Sequence, residues 1–391
     1  MKPCVVVGVT SSIATFKAVQ LVSDLLKKGY DVEVIMSENA TKFVSPLTFS
    51  SLTKHKTYVQ TFDRVDHYDV EHISLAKKAD VFIIAPATAN IIAKVVHGFA
   101  DDMLSTTFLA ANCPKLIAPA MNTQMYLNPI TQENLNKAKA LGYHMIEPCV
   151  GLLACGDTGT GKLADIPTMI DAIQMVSHRD KPLLHKKVLV SAGPTREALD
   201  PVRFISNHSS GKMGYALARA ARDMGANVTL VSGPVQLQKP YHVEVVDVIS
   251  AQEMFEAVTK DYDSYDYVIM AAAVADYRPA KVAAQKIKKQ EEATSFDVVK
   301  TQDILQYLGD HKTHQKLCGF AMESEHMLAN ARKKFETKHC DLLVANNIHT
   351  EGAGFDVDTN IITLISDQGN TELAQASKEE LAYQILEALC K

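Results

Sequence analysis

One local order of signals occurs twice in this chain: a β-branched run, a loop of small residues, a segment of helical period, a glycine, and a second apolar run. It begins at Val5–Val9 and passes through Gly8-Val-Thr-Ser-Ser12. A helix is then predicted over Phe16–Lys28, with Ala18, Leu21, Val22, Leu25 and Leu26 on one face, before Gly29 and Val32–Met36. It returns at Val188–Ser191, with a helix over Tyr215–Met224, Gly225 and Val228–Val231. A strand, a crossover helix and a second strand commit a domain to a parallel sheet covered by helices. Two such openings, a domain length apart, commit this chain to two α/β domains. Further apolar runs at Val81–Ala85, Lys115–Ala118, Tyr267–Ala271 and Leu342–Ala345 supply more strands. The polar, proline-containing stretch His178–His185 reads as the linker, giving expected domains of 1–180 and 181–391. Ile361–Ser366 reads as a hairpin strand turning at Asp367–Asn370, and Ser377–Leu389 as a closing helix capped by Ser377 with Glu380 at the third position.

Charge narrows the function. Forty Lys and Arg against 45 Asp and Glu give a net charge of -5, split as 15 basic and 16 acidic residues up to residue 178, then 25 and 29 after it. Neither half has the basic excess of a nucleic-acid binder, so small-molecule chemistry is favoured. Seven cysteines, without a CxxC pair, argue against a disulfide framework and a zinc ribbon and fit a reducing cytoplasm. The longest apolar run, Val81–Val96, is interrupted by Pro86, Asn90 and Lys94, so no bilayer span is expected. The early run Cys4–Val9 is too short for a signal sequence and reads as a first strand.

Several loops carry donors suited to phosphate. Gly8-Val-Thr-Ser-Ser12 offers hydroxyls and amides at a helix N-terminus; it lacks the GxGxxG pattern, so one phosphate suits it better than a dinucleotide. Ala85–Asn90 ends an apolar strand in small and polar residues, at the sheet edge where such folds bind ligands. In the second half, Arg203–Gly214 gathers Ser206, Asn207, Ser209, Ser210 and Lys212 ahead of a helix, without a Walker frame. Lys281–Glu292 has no apolar face and four lysines; on charge alone it reads as a solvated loop.

With GVTSSIATFK at 8–17, VEHISL at 70–75, APATANIIAKVVHGFADD at 85–102, PAMNTQMY at 119–126 and LLACGDTGTGKL at 152–163, the first half resembles the flavin-dependent cysteine decarboxylases. The second half resembles the ligase domain of the bifunctional decarboxylase/ligases of coenzyme A biosynthesis. It does so through AGPTREALDPVRFISNHSSGKMG (192–214), GANVTLVSGP (225–234), AAAVADYRP (271–279), KIKK (286–289), GFAMES (319–324) and DLLVANN (341–347). The resemblance implies two Rossmann-like α/β domains: an N-terminal flavodoxin-like flavoprotein domain and a C-terminal nucleotide-binding ligase domain.

In the first domain it implies FMN as cofactor, with contacts at Ser11, Ser12, Ser37, Thr88, Asp102 and Ser105. His72 is implied as the catalytic histidine, Asn122 as the group holding the substrate carboxylate, and Cys155 as the proton donor on a flap. Oxidation of the substrate thiol to a thioaldehyde places the carboxylate β to C=S, and loss of CO₂ leaves an enethiol that a thiol such as Cys155 can protonate. Gly151, Gly156, Gly159 and Gly161 would give that loop mobility. Two positions depart from the family pattern: Ser11 and Ser12 replace common glycines, and Asp102 stands where many members carry Asn.

In the second domain the resemblance implies attack of the phosphopantothenate carboxylate on CTP, then displacement of CMP by cysteine's amine. Asn207, Arg203 and Lys286 are the implied catalytic residues, with Lys286 on a lysine flap. Nucleotide contacts are implied at Ala271, Ala272, Ala273, Asp276, Lys286, Gln302, Asp303, Ile304, Leu305, Phe320, Lys334 and Lys338. Mg²⁺ would accompany CTP, with ligands unassigned, and positive charge near the α-phosphorus suits the negative charge that develops there. A homo-oligomer with the flavin site between subunits is also implied. An NAD(P) oxidoreductase and a regulatory flavin-binding subunit remain as alternatives; the joint presence of His72, Asn122 and Cys155 favours the enzyme.

Overall fold

A computed structural model describes residues 2–62, 70–154, 156–288, 295–323, 327–347 and 357–391, without the side chains of 323 and 347. The chain divides into two compact units, Met1–Arg179 and Asp180–Lys391.

The first unit contains, in order, β1 (Cys4–Val9), α1 (Thr15–Lys27), β2 (Asp31–Met36), α2 (Pro46–Thr53), β3 (Thr57–Tyr58), α3 (Glu71–Lys78), β4 (Val81–Ala87), α4 (Ala89–His97), α5 (Met103–Ala110) and β5 (Lys115–Pro119). There follow α6 (Thr123–Leu127), α7 (Pro129–Ala140), β6 (His144–Met145), β7 (Cys149–Leu152), β8 (Thr158–Lys162) and α8 (Ile166–Ser177). Six strands form a parallel sheet in the order β3-β2-β1-β4-β5-β6. This is the Rossmann member of the doubly wound class, whose ligands lie beyond the carboxyl ends of the strands where the order reverses. β1, β4 and most of β2 are buried throughout, which is why they read as unbroken apolar runs. α1 buries Ala18, Leu21, Val22 and Leu25, four of the five residues on the anticipated face. Gly8 is required inside β1, because a Cβ there would stand 2.5 Å from Leu104 Cδ1.

The second unit contains β9 (Lys187–Ala192), β10 (Arg196–Ala198), β11 (Phe204–Ser206), α9 (Lys212–Asp223), β12 (Asn227–Ser232), β13 (Glu244–Asp247), α10 (Ala251–Thr259), β14 (Tyr267–Met270) and β15 (Tyr277–Pro279). Next come β16 (Val298–Lys300), α11 (Ile304–His311), β17 (Lys316–Glu323), α12 (Met327–Thr337), β18 (Leu342–Asn347), β19 (Thr359–Ser366), β20 (Gly369–Ser377) and α13 (Lys378–Cys390). Its eight-stranded sheet runs β13-β12-β9-β14-β17-β18-β19-β20. The first six strands are parallel and repeat the winding of the first unit; the hairpin β19–β20 is added antiparallel. Ser377 and Glu380 form a capping box that starts α13. Two small antiparallel pairs, β10–β11 and β15–β16, stand off the main sheet. No described helix is long and apolar enough to cross a membrane.

Candidate active sites

In the first unit, residues at the carboxyl ends of β1, β2, β4 and β5 frame the candidate flavin site. Thr10 Oγ1 donates to the Pro86 carbonyl at 2.7 Å and accepts the Thr88 amide at 3.1 Å, joining the ends of β1 and β4. Ser11 and Ser12 lie in the turn before α1; Ser12 Oγ accepts the Ala14 amide at 3.2 Å, and α1 has no side-chain cap on its first turn. Thr88 caps α4, and Asp102 with Ser105 forms a capping box at α5. Burial pushes the Asp102 carboxyl up, but the Ser105 amide and the Lys94 ammonium outweigh it and hold it below the usual range. Ser37, at the end of β2, has a buried hydroxyl with no hydrogen-bond partner among the described residues. An orphaned hydroxyl at a carboxyl edge, beside an uncapped helix N-terminus, fits a polar ligand such as a flavin phosphate ester.

Asn122 follows β5, and its Oδ1 accepts the Gln124 amide at 2.8 Å at the start of α6. It lines a cavity of about 410 Å³ with Ser12, Phe16, Lys17, Met121, Leu153 and Lys162. The hairpin β7–β8 is laid against this loop: the Met121 amide donates to the Gly161 carbonyl at 2.9 Å. A Cβ at Gly159 would meet Thr123 Oγ1 at 2.4 Å, and one at Gly161 would meet the Met121 carbonyl oxygen at 2.3 Å. These two glycines therefore permit close approach of the hairpin to the Asn122 loop. Cys155, expected between β7 and β8, lies outside the described residues. His72, in the first turn of α3, is half-buried and makes no hydrogen bond with a described residue; it is not among the residues lining the Asn122 cavity. Thr10 belongs to the hydroxyl-bearing loop Gly8–Ser12, and Lys17 and Lys162 to motifs of the resemblance, but the sequence assigned none of the three a role.

In the second unit two clefts share a wall. One, of about 450 Å³, brings together Ala272, Asp276, Gln302, Asp303, Ile304, Leu305, Phe320, Lys334 and Lys338. The other, of about 590 Å³, brings Asn207, Ser209, Ser210, Gly211 and Lys212 up to Ala271, Ala272, Ala273, Asp276, Phe320 and Lys334. The switch between β9 and β14 makes this possible: the Ala273 amide donates to the Gly193 carbonyl at 2.9 Å and the Ala272 amide to Ser191 Oγ at 3.2 Å. Asn207 Nδ2 donates to the Val274 carbonyl at 3.0 Å, which fixes it over the same segment. Lys334 Nζ donates to the Phe320 carbonyl at 2.9 Å. Gly211 adopts φ +76° at the N-cap of α9, and a Cβ at Gly214 would stand 2.5 Å from Ala192 Cβ, so the helix start sits directly on β9.

Arg203 and Lys286 line neither cleft. Arg203 is bound to Asp200 and to the Ile287 carbonyl; Lys286 is exposed on the excursion between β15 and β16, whose residues 289–294 lie outside those described. Sequence reasoning missed Asn346, Asn360 and Lys378, all buried, which line the second cleft from β18, β19 and the start of α13. Among the described residues one carboxylate–imidazole cluster, Asp31, Glu33 and His55, could hold a cation. It belongs to the first unit, and Lys78 Nζ already bridges it at 2.9 Å from Asp31 and 2.5 Å from Glu33, so it is not assigned to nucleotide-bound Mg²⁺.

Residues 1–178 match the flavoprotein family, and residues 183–391 match the DNA/pantothenate metabolism flavoprotein C-terminal domain. Over 389 residues the chain is 46% identical to the coenzyme A biosynthesis bifunctional protein CoaBC of Bacillus subtilis, covering 98% of this chain and 96% of that protein. It is 41% identical to the protein of the same name from Escherichia coli, with the same coverage. Among solved structures, the C-terminal domain of a coenzyme A biosynthesis bifunctional protein CoaBC is 42% identical, with TM-score 0.47 over 54% of this chain and 97% of that one. A PPC decarboxylase mutant complexed with pantothenoylaminoethenethiol is 27% identical, with TM-score 0.40 over 45% and 98%.

Proposed function

The chain belongs to the family of coenzyme A biosynthesis bifunctional proteins, and from that membership we propose how its two units divide the work. The second unit ligates cysteine to 4'-phosphopantothenate, and the first, a flavoprotein, decarboxylates the resulting 4'-phosphopantothenoylcysteine to 4'-phosphopantetheine. The units stand in the chain in the reverse of the order in which they act. The observation that carries the reading is membership along the whole chain, with a donor-rich cleft at the carboxyl edge of the second sheet and a largely apolar cavity holding Asn122, Lys17 and Lys162 at that of the first.

For ligation, CTP occupies the cleft of Ala271–Ala273, Asp276, Gln302–Leu305, Phe320, Lys334 and Lys338, with Mg²⁺ on its phosphates. Lys334 and Lys338 offset negative charge in that cleft, and Asn207, anchored beside Ala273 and Val274, holds the acyl-cytidylate. Arg203, in the turn between β10 and β11, and Lys286, on the excursion between β15 and β16, act on the intermediate.

For decarboxylation, Ser11, Ser12, Ser37, Thr88, Asp102 and Ser105 hold FMN at the carboxyl edge of the first sheet. Bound FMN supplies oxidation of the substrate thiol side and its later reduction. Asn122 holds the substrate carboxylate, His72 acts at the reacting thiol, and Cys155 gives a proton to the enethiol carbon. The protein assembles as a homo-oligomer with the flavin site between subunits; exposed Ile13 and Phe16 beside the Asn122 cavity support a partner surface there. Free thiols at Cys4, Cys113, Cys149, Cys318, Cys340 and Cys390 support a reducing, cytoplasmic setting.

The test supplies phosphopantothenate, cysteine, CTP and Mg²⁺ to the purified protein and follows CMP and CO₂ separately. Cysteine-dependent CMP and flavin-dependent CO₂ are both expected. CMP formation without cysteine incorporation, or a colourless preparation that binds NADPH, would sink the reading.

A further inference from the structure

Asp200 occupies the turn between β10 and β11 with its side chain fully buried, yet its hydrogen bonds reach outside that turn. Oδ1 accepts the amides of Val202 and Arg203, each at 2.8 Å, which closes the turn. Oδ2 accepts Arg203 Nε at 3.0 Å, Arg203 Nη2 at 2.5 Å and the Ile287 amide at 3.1 Å. Arg203 Nη2 also donates to the Ile287 carbonyl at 2.6 Å. Ile287 is thus gripped at both its N–H and its C=O, one residue after Lys286. A further bond, from the Ala283 amide to the Leu199 carbonyl at 3.0 Å, ties the same excursion to the same turn.

Residues 280–288 form no regular helix or strand, so these bonds decide where that backbone runs. The Arg203 guanidinium, with the amides of Ile287, Val202 and Arg203, holds the Asp200 carboxyl well below the usual range, and it stays charged throughout the working pH range. With Nε and Nη2 committed to Asp200 Oδ2 and Nη2 also to the Ile287 carbonyl, Arg203 keeps Nη1 as its remaining donor, and its orientation is set by these three bonds.

We infer that Asp200 is a positioning residue for ligation: its carboxylate orients Arg203 and, through the Ile287 amide, fixes the backbone that presents Lys286. It touches no substrate itself. The inference rests on the roles proposed above for Arg203 and Lys286. Two flexible cations held in place before the phosphate chemistry lower the cost of organising them in the transition state.

The experiment is steady-state CMP release by the full chain, with flavin-dependent CO₂ release as the control for folding. Asp200→Asn keeps the shape of the side chain and loses the charge and one acceptor. Ile287→Pro removes the amide donor and leaves Asp200 and Arg203 intact. Both are expected to lower kcat for ligation by about tenfold or more with the KM for CTP within about twofold, and with decarboxylation unchanged. Adding Asp200→Asn to Arg203→Gln should cost less than it does alone, because the two act as one unit. Full additivity, or a raised KM for CTP with unchanged kcat, overturns the positioning role. Loss of ligation in Lys286→Gln with normal ligation in both Asp200→Asn and Ile287→Pro overturns it alone; normal ligation in Lys286→Gln overturns the reading on which it rests.

Discussion

Lys338 Nζ lies 2.5 Å from Asp303 Oδ2 in the wall of the cleft proposed for CTP, while Asp303 Oδ1 caps α11 by accepting the Gln306 amide at 2.9 Å. One carboxylate thus fixes a lysine and a helix start together. Burial pushes the Asp303 carboxyl up, and the Lys338 and Gln306 bonds outweigh it, so it is ionised at neutral pH and would compete with a nucleotide phosphate for Lys338. Lys338→Met is expected to raise the KM for CTP by about tenfold, roughly 1.4 kcal/mol of binding. Asp303→Asn keeps the cap and frees the lysine, and should leave KM unchanged or lower it. An unaltered KM in Lys338→Met removes that lysine from the nucleotide site.

Ser37 supplies a test of the flavin site that does not depend on turnover. Its buried hydroxyl has no partner among the described residues, so Ser37→Ala removes no hydrogen bond seen in the fold. Apoprotein stability should be unchanged or slightly higher. FMN should be held more weakly, by about 0.5–1.5 kcal/mol, if the ligand completes that bond. Titration of apoprotein by flavin fluorescence quenching measures this. Equal FMN affinity in both proteins would exclude Ser37 as a contact.

The eight apolar runs seen in the sequence are strands β1, β2, β4, β5, β9, β12, β14 and β18, because buried parallel strands leave unbroken aliphatic signals. Strand β17, in the middle of the second sheet, was not among them. Gly319 interrupts its apolar pattern, yet a Cβ there would stand 2.8 Å from Leu305 Cδ2 and 2.9 Å from Leu343 Cδ1, so packing demands the residue that hides the strand. The three-residue strands β10, β11, β15 and β16 are too short to show a period. The grip of Asp200 on Ile287 was invisible for a related reason: an acid and a backbone amide far apart in sequence carry no joint pattern. Asn346, Asn360 and Lys378 meet in one cleft only because β19 adds beside β18, which no local signal encodes.

Cys155→Ser separates proton donation from cofactor binding. The variant should purify yellow, take up phosphopantothenoylcysteine and release CO₂. It should then accumulate the enethiol, since a serine hydroxyl is a far weaker acid than a thiol. Mass spectrometry of the quenched reaction distinguishes enethiol from 4'-phosphopantetheine by two hydrogens. Full conversion to 4'-phosphopantetheine at the normal rate would show that another group delivers the proton.

Asp102 predicts a pH dependence with a definite sign. Its carboxyl caps α5 through the Ser105 amide at 2.7 Å and meets Lys94 Nζ at 2.9 Å; Lys94 also pairs with Asp101 at 2.8 Å. Despite burial, these partners hold the folded carboxyl below the usual range, whereas an unfolded aspartate titrates near 3.9. Between those values the unfolded chain binds more protons, so stability rises with pH there. The contribution is complete above about pH 5 and declines as pH falls through the folded value. Asp102→Asn retains an oxygen for the cap but loses the charge opposite Lys94, so it should cost at most about 1 kcal/mol at neutral pH. Calorimetry of the full chain at several pH values should find wild type and variant converging as the pH is lowered below about 4. A gap that stays constant or widens toward acid would show that Asp102 acts there through geometry and not through its charge.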